Sequence, residues 1–301
     1  MEVSVIIPTY GRTSELREAI ESVRKQSTQP AELIIIDEDL NSSVGDFISN
    51  ISFSSGTNIK YFNGQYGGLT ASKNVAAEKS TGDIVLFIDD DAELHSDAIK
   101  NLIIVYERIN PDGVWLVTDE QPTIAQRLYT QLFHFGPFNY GLRERELNKE
   151  ETGVFTETDA MGGCGMSVRS YVLDEFKFDE SDPVTFLPED IDFSYRMKEN
   201  HKIGATAIAR KDHKRVKRNN LSKQELERGF YRKPYSYNYL YTQTLNRNPK
   251  FLPHYLIVNI GILISAIYVG WQNRTIAPIL GFLKGVCSII FGNSVEEEYL
   301  Q

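Results

Sequence analysis

Apolar positions in this chain fall into short runs separated by polar, helix-patterned stretches. "VSVIIP" (3–8) is a β-rich run closed by Pro8, and "AELIIID" (31–37) is a second one ending in Asp37. Between them, Leu16, Ala19, Ile20 and Val23 of "SELREAIESVRKQ" (14–26) recur at the i, i+3, i+4, i+7 spacing of an amphipathic helix. Thr13 or Ser14 can cap it, and Glu15 suits its first turn. Strand, helix and strand within about forty residues predict a parallel βαβ unit.

The alternation continues downstream. "YGGLTASKNVAAEKSTGD" (66–83) predicts a helix capped by Thr70 and stopped by Gly82, followed by a buried strand, "IVLFID" (84–89). "SDAIKNLIIVYERI" (96–109) predicts a helix and "VWLVT" (114–118) a strand. Residues 120–156 lack a clear period and read as loops with a short helix. "TDAMGGCGMSVRSYVLDEF" (158–176) reads as a strand with a Gly-rich kink and then a helix. "PEDIDFSYRMKEN" (188–200) reads as a helix with acids in its first turn, and "IGATAIA" (203–209) alternates like a strand. The fold class is α/β, with its main domain over residues 1–220.

The C-terminal part differs. "LPHYLIVNIGILISAIYVGW" (252–271) contains no Lys, Arg, Asp or Glu, and "IAPILGFLKGVCSIIFG" (276–292) contains one lysine. About twenty apolar residues suffice to cross a bilayer. Six Lys/Arg at 210–218 and an aromatic, basic stretch, "FYRKPYSYNYLY" (230–241), precede the first run. That order suits a cytoplasmic approach and an interfacial tyrosine belt. Residues 221–250 are thus expected to form a juxtamembrane segment and 251–301 a membrane-associated helical region, as two spans or as one span plus an interfacial helix. A long core helix also fits the first run.

Composition narrows the function. A net charge of −9 argues against nucleic-acid binding. Two distant cysteines, Cys164 and Cys287, suit a reducing compartment and argue against a disulfide framework or a zinc site. The N-terminus lacks the basic and apolar regions of a signal peptide, so the catalytic part is expected on the cytoplasmic side of the cell membrane.

"IVLFIDDDAEL" (84–94) runs a buried strand into Asp89, Asp90 and Asp91. Adjacent like charges repel, so the acids either sit in water as a turn or hold a cation. If the strand persists, Asp89 and Asp91 project to one side and suit a hard divalent ion, Mg²⁺ or Mn²⁺. Asp37 also lies at a strand's carboxyl end, where α/β sheets bind ligands.

"VSVIIPTYGR", "LREAIESVRKQ", "LIIID", "YGGLTASKNVAAEKSTGDIVLFIDDDAEL", "GGCGMSVRS" and "PEDIDFSYRMKENHKIG" stand in the order seen in inverting, GT-A-fold glycosyltransferases of family 2, which residues 3 to 215 resemble. The resemblance implies a Rossmann-like mixed sheet flanked by helices, a nucleotide-sugar donor (a UDP-sugar), a divalent metal and a one-step inverting displacement. It implies Thr9 and Asp37 at the base, Lys73 at the diphosphate, and Asp89 and Asp90 at the ribose and metal, with Asp91 on the metal. His213 is implied at the metal or diphosphate, and Asp190 as general base beside Glu189. Gly162 and Gly163 would let the acceptor approach. Glu38 stands where many relatives carry a second Asp, and Lys73 where they carry Arg. Helix-dipole complementation is the plainer role for Glu189, Asp190 and Asp192. Attachment to a membrane suggests a lipid-linked or surface-glycan acceptor, and a homo-oligomer is compatible. A catalytically silent scaffold that keeps the fold is the alternative.

Overall fold

The computed structural model describes residues 1–51, 53, 56–118, 123–134, 136–138, 153–180, 189–214 and 221–291. Part of the expected loop region (139–152), the basic residues of 215–218 and the stretch from 292 onward lie outside these. Two compact units form. The first comprises 1–121, 143–179 and 193–216, and the second 122–142, 180–192 and 217–301.

The first unit is built on a mixed sheet. Strands β1 (Val3–Thr9) and β2 (Glu32–Asp37) bury every residue, and α1 (Thr13–Arg24) connects them. The chain continues through α2 (Val44–Ser49), β3 (Asn58–Asn63), α3 (Leu69–Glu78), β4 (Ile84–Phe87), β5 (Ala92–Leu94), α4 (Ala98–Ile109) and β6 (Gly113–Thr118). After α5 (Ile124–Phe133) come β7 (Thr156–Glu157), β8 (Met166–Arg169), α6 (Ser170–Glu175), α7 (Glu189–Met197) and β9 (Ile203–His213). Among the described residues the sheet order is β3-β2-β1-β4-β8-β6-β9-β5, with β7 also on β9. β1 runs parallel to β2 and β4, whereas β8 is antiparallel to β4 and β6.

Period-two alternation divides the core between the two faces of the sheet. Val5, Ile7, Leu33, Ile35 and Leu86 cluster with Leu16, Ile20, Ile99 and Leu102 of α1 and α4. Ile6, Ile34, Ile36, Val85 and Phe87 cluster with Ala76, Val172 and Phe193. Each such Ile or Leu contributes about 1.5–3 kcal/mol on burial, which makes this sheet the rigid base of the site.

Several expected boundaries move. The strand ends at Phe87, so Asp89–Asp91 occupy a turn and period two does not reach them. β9 runs four residues past the expected 209, to His213. α1 starts at Thr13, so Arg12 takes the cap position and makes no side-chain cap bond, while Ser14, inside the helix, donates to Glu15 at 2.5 Å. Thr70 lies inside α3, whose cap position is Gly68 at φ 103, in the left-handed region that favours glycine. The amide of Gly68 donates to the Glu38 carboxylate at 3.0 Å, so a side chain from beyond β2 caps α3. α3 ends at Glu78, and the amide of Gly82 donates instead to Ser4 Oγ at 2.9 Å.

The second unit is helical, formed by α5, α8 (Lys223–Tyr239), α9 (Leu252–Gln272) and α10 (Ala277–Phe291). A π-helical turn, Leu240–Thr244, continues α8. Thr123 and Gln126 form a reciprocal capping box on α5, and Ser222 and Glu225 form another on α8. Phe230, Tyr231 and Tyr237 are buried, so these aromatics of the expected interfacial belt are packed in the interior. The first part of the basic run is tied into the first unit. Lys211 is fully buried in β9, and Lys214 pairs with Glu93 and, at 2.7 Å, with Glu18.

Candidate active site

The acidic turn between β4 and β5 is held from three directions. Thr9, the last residue of β1, donates its hydroxyl to Asp90 Oδ2 at 2.8 Å. Arg12, three residues on, places one guanidinium nitrogen 3.0 Å from Asp90 Oδ1 and 3.2 Å from Asp91 Oδ2. His213 Nε2 lies 3.0 Å from Asp91 Oδ1 and 3.4 Å from Asp89 Oδ2. A backbone pairing delivers that imidazole: β5 runs antiparallel to β9, and Ala92 stands opposite His213.

Arg12 supplies an answer absent from the sequence pattern, because the chain brings its own cation to two of the three acids, Asp90 and Asp91. Burial works against the guanidinium's charge, but Asp90 and Asp91 outweigh it and raise its pKa. Burial is also the largest influence on Asp90 and lifts its carboxyl above the usual range, while Thr9 and Arg12 pull it down. Arg12 occupies one side of Asp90 and Asp91. The Asp89 and Asp91 oxygens nearest His213 Nε2 form with it a separate O, O, N donor set, which fits a divalent ion. Cys164 Sγ belongs to the same corner: ligand atoms of Asp89, Cys164 and His213 all lie within 4.8 Å of one another.

Beside this corner lies a second acidic strand end. Thr9 and Asp37 are register partners across β1 and β2. Asp37 is fully buried, and it accepts from the Asp39 amide at 3.0 Å and from Tyr61 Oη at 2.9 Å. Burial, and next the bond to Asp37, push the Tyr61 hydroxyl up to about 12. Glu38 is committed to Gly68 and Ser72 of α3. Lys73 is 1% exposed, with its ammonium 5.2 Å from the centre of the Phe178 ring, so it is no plain surface lysine. Gly162 is close-packed: a Cβ there would meet the Trp115 indole at 2.7 Å. Gly163 adjoins it in the same loop.

Glu189 and Asp190 open α7 and belong to the second unit. Asp190 is buried and accepts from the Ile191 amide at 2.8 Å, while Asp192 accepts from Thr244 Oγ1 at 2.7 Å. Tyr237 of α8 lies 3.4 Å from His134 Nδ1. Burial first, then the charges of Tyr129 and Asp190, raise its pKa. Burial pushes His134 down to about 4.

Sequence reasoning missed Arg12, Tyr61, Cys164 and Tyr237. Arg12 follows a strand end, which is a usable signal. The other three are placed by tertiary contacts between distant segments, for which a single sequence carries no local mark.

Residues 4–171 match the family model described as glycosyl transferase family 2. Over 122 residues the chain is 36% identical to the glucosyl-dolichyl phosphate glucuronosyltransferase of Haloferax volcanii, which covers 38% of this chain and 36% of that protein. Over 104 residues it is 34% identical to the GalNAc(5)-diNAcBac-PP-undecaprenol beta-1,3-glucosyltransferase of Campylobacter jejuni, covering 34% of this chain and 33% of that protein. The match therefore spans about a third of the length of these relatives. The structure of S. aureus TarS 1–349 in complex with UDP-GlcNAc is similar with a TM-score of 0.51 at 15% identity, covering 98% of this chain and 93% of that one. At that identity the likeness is one of fold, and the mixed sheet with flanking helices is of the GT-A type. The family match takes in more than half of the chain, including the strand ends that carry Thr9, Asp37 and Asp89–Asp91: this protein belongs to glycosyl transferase family 2.

Proposed function

We propose that the chain transfers a sugar from a nucleoside-diphosphate donor, a UDP-sugar, to a lipid-linked glycan on the cytoplasmic side of a membrane, with inversion at the anomeric carbon. The observation that carries this reading is the meeting of Asp89, Asp91 and His213 beside the strand ends of Thr9 and Asp37. Asp37 and Thr9 serve the nucleoside, and Asp90 the ribose. Lys73 draws negative charge towards the diphosphate. Asp89, Asp91 and His213 would hold Mg²⁺ or Mn²⁺, which when bound offsets the charge that develops on the departing diphosphate.

In the displacement the acceptor oxygen bonds to the anomeric carbon as the bond to the diphosphate breaks on the opposite face. A hydroxyl acceptor must lose its proton in this step, and Asp190 takes it. Such an acceptor is favoured because the Haloferax and Campylobacter relatives are named for lipid-linked substrates that already bear sugars. Gly162, Gly163 and Glu189 are assigned to the acceptor side.

Thermal unfolding of the purified chain with Mn²⁺ and a panel of nucleotide sugars tests the donor reading. One UDP-sugar should raise the melting temperature by mass action, and Asp91→Ala or EDTA should abolish the rise. A rise that survives both would refute the metal assignment. Absence of transfer with every donor would favour a silent scaffold.

A further inference from the structure

The second unit exposes an apolar surface that the sugar chemistry does not use. On α9, Leu252, Leu256, Ile260, Ile264, Ile267 and Trp271 stand exposed at the three- and four-residue steps of one helix face. Val258, Gly261, Ile262, Ala266 and Gly270 form its buried face. Length and composition alone allow this helix to cross a membrane.

What covers the buried faces argues against a crossing. At Gly261, midway along α9, the carbonyl accepts from Tyr129 Oη at 2.7 Å, and an added Cβ would lie 2.5 Å from Phe133 Cβ. Tyr129 and Phe133 belong to α5, which also carries Gln126, Arg127, Thr130 and Gln131. On α10 the pattern repeats. An added Cβ at Gly285 would lie 2.4 Å from the Tyr231 carbonyl, and Lys284 pairs with Glu227 at 2.7 Å. Tyr231 and Glu227 belong to α8, a helix with six charged side chains. Were α9 and α10 spans, these polar helices would be drawn to mid-bilayer depth, where charged and unpaired polar groups are strongly disfavoured.

We propose that the second unit is a monotopic anchor: α9 and α10 lie in the plane of an anionic bilayer on its cytoplasmic face, with their exposed apolar stripes immersed and neither helix crossing. Charge selects the occupant. Residues 221–291, which carry α8, α9 and α10, hold eight Lys/Arg against two Glu, while the other acids of the second unit lie at 180–192 and 296–298. Lys223 and Arg274 line an open cavity of about 1170 Å³ together with Trp271 and Ile276, which pairs cations with an apolar wall as a lipid phosphate headgroup requires. The inference serves the reading of a lipid-linked acceptor, yet it is tested without any sugar transfer.

The test uses the full chain, expressed in a bacterial host with Cys287→Ser, the exposed cysteine, removed. Lys250→Cys and Asn273→Cys, made singly, mark the two ends of α9. An impermeant maleimide should label both from inverted membrane vesicles and neither from right-side-out ones. Labelling of one end from each side would establish a span and overturn the proposal. So would labelling of both ends from the right-side-out face, or recovery of the chain entirely in the soluble fraction. In a second measurement, Leu256→Glu with Ile264→Glu should cut flotation with phosphatidylglycerol vesicles at least tenfold. The donor-induced thermal shift should stay unchanged in that variant, which shows that it is folded. Unchanged flotation would refute the assigned face. Loss of the donor shift in the unsubstituted chain would instead count against the proposed function.

Discussion

The sheet of the first unit and the helices of the second spend similar apolar sequence in different ways. β1 and β2 bury every residue, because helices cover both faces of the sheet. α9 is as apolar as those strands, yet it buries one face and leaves Leu256, Ile260 and Trp271 exposed on the other. Hydrophobicity thus states that a surface avoids water and is silent about what replaces the water. Polar residues divide the same way. Around Asp90 the buried carboxylate is paired with Arg12 and accepts a hydrogen bond from a threonine hydroxyl, whereas α8 keeps most of its charges at or near solvent and lends α10 its backbone.

Three substitutions break or sharpen this contrast. The largest effect is expected from Asp190→Asn in the second unit. It should lower kcat about 10³-fold, roughly 4 kcal/mol, while the donor-induced thermal shift generated in the first unit persists. Steady-state kinetics beside thermal unfolding separate the two, and loss of the shift would show that Asp190 also binds the donor.

Arg12→Ala comes next, with an expected loss of about 1–2 kcal/mol in urea unfolding at neutral pH, since Arg12 is 36% exposed and water takes over part of its role. The sign with pH follows from Asp90, whose folded pKa is already raised. A raised carboxyl contributes stability when protonated and loses it as pH rises through the folded value. Without Arg12 that value climbs further, so the variant should recover stability as pH falls from 7 toward the acid range. A variant whose deficit stays constant with pH would show that Arg12 does not neutralise Asp90.

The smallest effect is expected from Gly261→Ala. Crowding Phe133 should cost about 1–2 kcal/mol in the second unit, partly offset by better helix propensity, with donor binding unchanged. Protease susceptibility within 123–138 should rise in step. An unchanged cleavage pattern would mean that α5 does not depend on that contact.

Much of the first unit was legible because its strands are short buried runs and its helices have period 3.6. β1, α1, β2, α4 and β6 lie within two residues of their expected limits. β3 and β5 went unread for physical reasons. β3 is a half-exposed edge strand that includes Asn58, Lys60 and Asn63, and β5 has only three residues. The corner itself was half legible. Three carboxylates after a buried run signal a site, but the turn that carries them depends on β9, and Arg12 was recognisable as their partner only in three dimensions. Within the basic run, Lys211 is interior, so charge counted along a sequence is not charge at a surface.

The pairing of Ala92 with His213 also sets an order of assembly. During synthesis the three aspartates leave the ribosome 122 residues or so ahead of the histidine, with Arg12 emerging before either. The nascent chain therefore has its guanidinium from the outset and gains its imidazole late, through a contact of high sequence separation that forms slowly. Any chain released before residue 211 would keep the acids and lack the end of β9, Lys211 to His213, that pairs with β5 and completes their enclosure.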